Sequence, residues 1–231
     1  MLAGFIFSHN AQATTITEKM LLDCPTPKPF NARYNTPQSI PISASAHIQL
    51  TATSPHQFRY ESKVSALWQT QAEVSTFLWS KQSLNALSYT QERKGFGRKK
   101  ASQIFFNAPQ KKVTFSKDGT RTEYAAQGFV VDILTEQLLV GCLIQKGLTT
   151  FEIPTFTKGQ FVPHRFEVKR KETLMIAEQP YPTLRVEKVH NSQERTTTLW
   201  FSEKNPYLLV KIEQKDKRKK YILLLKTVSG L

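Results

Sequence analysis

Apolar and polar residues alternate one by one along most of this chain, and that rhythm limits the fold more than any single motif. Ile42, Ala44, Ala46, Ile48 and Leu50 fall on one side of an extended segment, with mostly polar residues between them, as a half-buried β-strand requires. After the turn Ser54-Pro55-His56 the alternation resumes with Phe58, Tyr60, Ser62 and Val64. Segments 73–79 and 84–93 continue it up to Lys94-Gly95-Phe96-Gly97, whose glycines suit a hairpin turn. Strands are expected again at 99–106 and 112–116, closed by Asp118-Gly119, and then at 148–153, 161–171, 183–190, 196–201, 207–214 and 221–228. Residues 215–220 read as a charged hairpin loop.

One stretch breaks the rhythm. Between Gly128 and Gly147, Val131, Leu134, Leu138, Leu139 and Cys142 recur at three- and four-residue spacing, which predicts one substantial amphipathic helix at 132–146. About eleven strands with a single helix leave no crossovers for parallel pairing, so the sheet is expected to be mostly antiparallel. Many strands expose edges, and curling is the common remedy. The expected architecture is mainly β: an antiparallel β-barrel or half-barrel, lipocalin- or lipoprotein-carrier-like in outline, with the helix at its mouth as a plug or lid. Residues 40–231 read as one β domain without an internal repeat.

The first residues speak to the compartment. The apolar run Leu2-Ala3-Gly4-Phe5-Ile6-Phe7 precedes Ala11-Gln12-Ala13, the small-x-small triplet of a secretory cleavage site, with Thr14 as the first mature residue. The run is short and no Lys or Arg precedes it, so residues 1–13 are expected to be a truncated signal peptide, and the protein periplasmic. Residues 14–39 read as an extended lead-in, with proline at every second position of Pro25-Thr26-Pro27-Lys28-Pro29. Cys24 does not fit a lipid-attachment box, because Asp23 precedes it and Glu18 and Lys19 interrupt the run upstream. Cys24 and Cys142 are able to pair in an oxidising compartment. The preferred reading leaves them unpaired, with Cys142 a small hydrophobe in the helix and Cys24 free. No segment approaches the ~20 apolar residues that span a bilayer as a helix.

The chemistry-bearing residues form no motif. The five histidines, His9, His47, His56, His164 and His190, are scattered without a helical His–His or His–Glu pair, so no zinc signature exists. The aspartates are only Asp23, Asp118, Asp132 and Asp216. No nucleophile elbow, phosphate loop or dinucleotide glycine motif is present. No catalytic residue, metal ligand or cofactor is expected, and the chain reads as non-enzymatic. A hydrolase would need a buried His or carboxylate in a cleft, to which no residue pattern points.

Two features remain. The aromatic content of 11% supplies Trp68, Phe77, Trp79, Phe106 and Trp200 as candidate linings of an apolar ligand cavity, the alternative being a dry core. The net charge of +14 points to an anionic partner. Its short clusters are Arg98-Lys99-Lys100, Lys169-Arg170-Lys171 and Lys217-Arg218-Lys219-Lys220; each alone reads as a solvated strand end or turn. Without a recognition helix or an RNA-binding aromatic signature nucleic acid is not expected. Anionic lipid, lipopolysaccharide or an envelope protein are the candidate partners.

The segments Thr183-Leu184-Arg185-Val186-Glu187-Lys188-Val189, Arg195-Thr196-Thr197-Thr198-Leu199-Trp200-Phe201 and Tyr207-Leu208-Leu209-Val210-Lys211-Ile212-Glu213-Gln214 resemble a bacterial family filed as domain of unknown function 3108. Glu61-Ser62, Leu87-Ser88-Tyr89, Gly95-Phe96-Gly97-Arg98 and Phe166-Glu167-Val168 follow the same order. The resemblance implies an exported protein of a Gram-negative-type envelope, with no established activity and no site residues. The expected function is binding of an apolar or lipid-like ligand in the barrel; the alternative is an envelope scaffold with a filled core and a basic contact face.

Overall fold

The structure, a computed structural model, describes residues 13–231 except 18–19, 21–23, 41–42, 82, 193 and 218. The apolar run, all of the expected cleavage triplet but Ala13, and Glu18, Lys19, Asp23, Ile42 and Arg218 therefore lie outside the described residues. The strands are β1 (Thr14–Thr15), β2 (Phe30–Asn35), β3 (Ala44–Ala52), β4 (Gln57–Ala66), β5 (Gln69–Trp79), β6 (Leu84–Gly95), β7 (Arg98–Asn107), β8 (Lys112–Lys117) and β9 (Thr120–Ala125). The helix α1 (Ile133–Gln145) separates these from β10 (Thr150–Thr157), β11 (Gln160–Ile176), β12 (Gln179–Lys188), β13 (Arg195–Ser202), β14 (Leu209–Asp216) and β15 (Lys219–Ser229).

Two antiparallel meanders, β2 to β9 and β10 to β15, make up the sheet. They are joined where β15 pairs with β2, Leu225 opposite Tyr34 and Val228 opposite Ala32. β1 adds a short parallel strand beside β10. The result is one curled fifteen-stranded sheet, a half-barrel whose outer strands are not hydrogen-bonded to each other. Rings close that gap instead. Tyr124 of β9 and Phe115 of β8 pack edge-on against Phe156 of β10 at 5.2 and 6.3 Å, and Tyr124 also meets Phe161 at 6.4 Å. The expected mainly antiparallel half-barrel with one helix is what forms. The segment read as a lead-in contains β1 and β2, and β2 is the strand that makes the two meanders one sheet.

The helix begins and ends where local chemistry directs. Asp132 takes the N-cap, its carboxylate accepting from the backbone N–H of Leu134 and Thr135 at 2.9 and 3.0 Å. At the other end Gly147 adopts φ 85°. The Gly147 N–H reaches the Ile144 carbonyl and the Leu148 N–H reaches that of Leu143, the paired bonds of a Schellman stop. Between these ends the helix is more enclosed than a one-faced amphipathic helix. Every residue except Ile133, Gln137 and Gln145 is buried, because the sheet surrounds it. It approaches the link between β13 and β14 so closely that a Cβ on Gly141 would lie 2.0 Å from the Pro206 carbonyl oxygen; only glycine fits there.

Three anchors hold the helix. Ser75 of β5 donates to Asp132 at 2.7 Å, and Thr135 donates to the same oxygen at 2.8 Å. One turn on, buried Glu136 meets the opposite wall. It accepts from Thr155 of β10 at 2.6 Å and Lys188 of β12 at 2.7 Å, and it lies against His164 of β11. The third anchor corrects the expectation of two unpaired cysteines: Cys24 and Cys142 form a disulfide with Cα atoms 5.7 Å apart. The sequence separation of 118 hides this proximity, because the segment before β2 folds back onto the helix. The Tyr207 hydroxyl donates to the Pro25 carbonyl beside it.

Replacing both cysteines by alanine lowers stability by about 3 kcal/mol in guanidinium unfolding, and the unfolded, unreduced protein titrates no free thiol. Glu136 supplies a second expectation. Burial raises its pKa, but the Lys188 charge and the contacts to His164 outweigh burial and hold it at about 2. A carboxylate depressed in the folded state stabilises above its unfolded value, and that contribution fades as pH falls toward the folded one. Urea midpoints therefore fall between pH 4.5 and about 2, and Glu136→Gln flattens that dependence while lowering the midpoint at neutral pH.

Candidate functional site

The inward faces of β3, β4 and β5 change in size from one end to the other. Toward one end β4 presents Phe58 and Tyr60, β5 presents Phe77 and Trp79, and β3 presents Leu50. Phe77 stacks on Phe58 at 5.8 Å and touches Trp79 at 6.1 Å, and Trp79 meets Tyr207 at 5.6 Å. These rings fill that end. Toward the other end the same faces carry Ala46 opposite Val64, then Ala44 opposite Ala66, with Glu73, Gln71 and Gln69 continuing the rows on β5. Small side chains there cannot reach across the interior. Space is left where they stand.

That space is a cavity of about 940 Å³, within the range of roughly 300–1,000 Å³ common for small-molecule sites. Its walls are Ala44, Ala46, Ile48, Val64 and Ala66 on one side and Ile212, Ile222 and Leu223 on the other. Ile133, Leu134 and Gln137 of the helix complete the lining. The helix, expected as a lid over the mouth, is thus an inner wall, and Ile133 and Gln137 are incompletely buried because they face the cavity. Gln137 is oriented by a 3.1 Å bond to the Tyr60 hydroxyl.

Two polar features mark the cavity. Deep inside, Glu73 accepts from the Tyr89 hydroxyl and from Gln91 at 2.8 Å. Burial, reinforced by the Glu73 charge, pushes the Tyr89 phenol far up, so it remains a donor. At the mouth stand Arg93, Lys94, Arg98 and Lys100 of the β6–β7 hairpin. Arg93 and Lys100 are cross-strand partners. Hydrogen bonds from Lys94 and Lys99 hold Glu92 below the usual carboxylate range. Among the described residues no carboxylate pairs with Arg93, Arg98 or Lys100. Gln214 and Tyr221 place the β14–β15 hairpin at the same mouth.

None of the five candidate aromatics lines this cavity. Trp68 is 65% exposed at the tip of the β4–β5 hairpin. Phe77 and Trp79 belong to the filled end, and Phe106 is half-buried against the core. Trp200 lies among charged side chains, its indole N–H on Glu172 and Lys211 4.1 Å from its ring centre. Aromatics fill one end of this barrel, and the aromatic residues that border the hollow, Phe96 and Tyr221, stand at its mouth. The signal available in the sequence was strand parity, since Arg93 and Lys100 share it with buried Tyr89 and Ile104. Among the described residues no cluster of three His, Cys, Asp or Glu side chains is placed to hold a metal ion. Among the same residues no helix is long and apolar enough to cross a membrane.

The architecture has a counterpart among solved structures. A β-barrel-like protein of domain of unknown function DUF1849 from Brucella abortus superposes with a TM-score of 0.61 over 88% of this chain and 98% of its own, at 7% identity. At that identity the likeness concerns the fold alone. No curated protein matches the chain. A family model does, over residues 30–218, from β2 to the β14–β15 hairpin, and the chain belongs to that family, the proteins of unknown function DUF3108.

Proposed function

We propose that the protein is a non-enzymatic periplasmic carrier that holds one amphiphile, apolar tail in the cavity and anionic head at the basic mouth. The observation that carries this reading is an unfilled cavity of about 940 Å³ with aliphatic stretches on facing walls, opening beside Arg93, Arg98 and Lys100. Aliphatic walls favour a hydrocarbon chain of variable shape, because they offer area without directional demands. The guanidinium groups and the ammonium favour a carboxylate, sulfate or phosphate at the entrance. Gln71 and Gln137 suit a hydroxyl or amide near the middle of the ligand. The Cys24–Cys142 disulfide supports an oxidising compartment such as the periplasm. The scaffold alternative calls for a filled core, and the cavity weighs against it.

Native mass spectrometry of protein purified from the periplasm, followed by lipid extraction, tests this reading. A co-purifying amphiphile is expected, along with uptake of a fluorescent fatty acid. Ala46→Phe projects into the hollow and weakens uptake while keeping the parent's circular dichroism. Arg98→Glu with Lys100→Glu weakens uptake about tenfold or more. An apo mass with no uptake of fatty acid sinks the carrier reading and returns the question to protein partners.

A further inference from the structure

The mouth carries an apolar tip that projects beyond the cavity, although Phe96 also borders it. Leu67, Trp68 and Phe96 are 67%, 65% and 70% exposed. They stand at the tips of the adjacent β4–β5 and β6–β7 hairpins, the Trp68 and Phe96 rings in edge-to-face contact at 5.9 Å. A single exposed apolar side chain needs no explanation, but three on neighbouring tips make one projecting apolar point. Leu67 and Phe96 each adopt φ 51°, a left-handed conformation that bulky residues seldom take and that Asn or Gly adopts readily. These turns thus carry large apolar side chains against local preference, and the side chains remain in the open.

Their surroundings are cationic. Lys94 and Arg98 flank the Phe96 turn, Arg93, Lys99 and Lys100 lie just behind, and Glu92 is the carboxylate of that hairpin. Across the mouth the β14–β15 tip adds Lys215, Lys217, Lys219 and Lys220 against Glu213 and Asp216. The cluster Lys169-Arg170-Lys171 on β11 is different. Glu167 and Glu187 pair with Lys169, Glu172 pairs with Arg170, and Glu203 pairs with Lys171. Two of the three basic clusters therefore converge on the mouth, while the third is neutralised along the sheet.

The geometry points to docking of this rim on an anionic lipid bilayer: Leu67, Trp68 and Phe96 enter the interface while the cations of both hairpins lie among the phosphates. Such a surface presents charge outside and hydrocarbon a few ångströms below, the order in which these side chains project. Trp favours that boundary, and Lys and Arg reach from it toward water. A folded protein partner would need a pocket shaped for three projecting side chains; a bilayer needs none. Docked in this way, the cavity opens onto the membrane. The inference rests on the tips and their charges, so it stands whether or not the cavity holds a ligand.

Vesicles of phosphatidylglycerol with phosphatidylcholine, and of phosphatidylcholine alone, provide the test. Trp68 is the exposed tryptophan, Trp79 and Trp200 being 1% and 5% exposed, so quenching by lipids brominated along their acyl chains reports its insertion. Co-sedimentation with the anionic vesicles, a blue shift and quenching are expected, with weak binding to phosphatidylcholine alone. Leu67→Asn with Phe96→Asn weakens vesicle binding about tenfold or more. Asn tolerates the φ of both positions, so this variant keeps the parent's circular dichroism and melting temperature. Ala46→Phe, which obstructs the cavity away from the tips, leaves vesicle binding unchanged, and this separates the docking inference from the carrier reading. No binding to anionic vesicles, unquenched Trp68, or undiminished binding by the double variant overturns the inference, as does capture of an envelope protein by the tips without vesicle binding.

Discussion

A helix that is apolar on nearly every side has to be surrounded, and the two buried carboxylates at its start decide how. Asp132 and Glu136 lie one turn apart and face different parts of the wall, Ser75 on β5 and the Thr155, His164 and Lys188 group on β10–β12. A buried carboxylate without partners costs several kcal/mol, so a sheet that left either side uncovered would lose more than packing. The two groups fix the helix between the meanders, and the disulfide from Cys142 to Cys24 ties its far half to the segment before β2. The position of the helix then decides which part of the barrel is filled.

Much of the fold was legible because β-alternation and helical spacing are properties of neighbouring residues. The helix ends were readable from Asp132 and Gly147, and the hairpin turns from Phe96-Gly97 and Asp118-Gly119. What escaped was set by distant contacts. β2 lacks a long alternating run, and its Phe30, Ala32 and Tyr34 become a buried face only between β15 and β3. The Glu136–His164–Lys188 group draws on three elements, and no local spacing reveals it. In the sequence, large aromatic side chains point to an apolar site. In a closed shell they mark the opposite. The informative pattern was the decline along alternate positions of β4, from Phe58 and Tyr60 to Ser62, Val64 and Ala66.

Filling one end of a barrel and hollowing the other also divides the work of the residues. The ring-packed end and the helix supply rigidity, with Phe58, Phe77, Trp79 and Tyr207 in mutual contact. The hollow end is held open by that rigidity, since small side chains there contribute little packing of their own. Charge follows the same division. Carboxylates accompany the cations along β11 and β12, whereas at the mouth Arg93, Arg98 and Lys100 have none within reach among the described residues. Unpaired cations at an opening keep their attraction for an anion arriving from outside.

The joint between β15 and β2 has a consequence for how the molecule comes together. Residues 31 and 229 are partners across it, so the sheet becomes continuous only when segments from nearly opposite ends of the described chain meet. Each meander is able to assemble from local hairpins, but the wall around the helix waits for that encounter. Closing so large a loop is entropically expensive and places the molecule among slow folders. During that interval the half-formed sheet exposes strand edges and an apolar helix together, a state that favours aggregation. The molecule's most vulnerable moment is therefore the pause before its two halves meet.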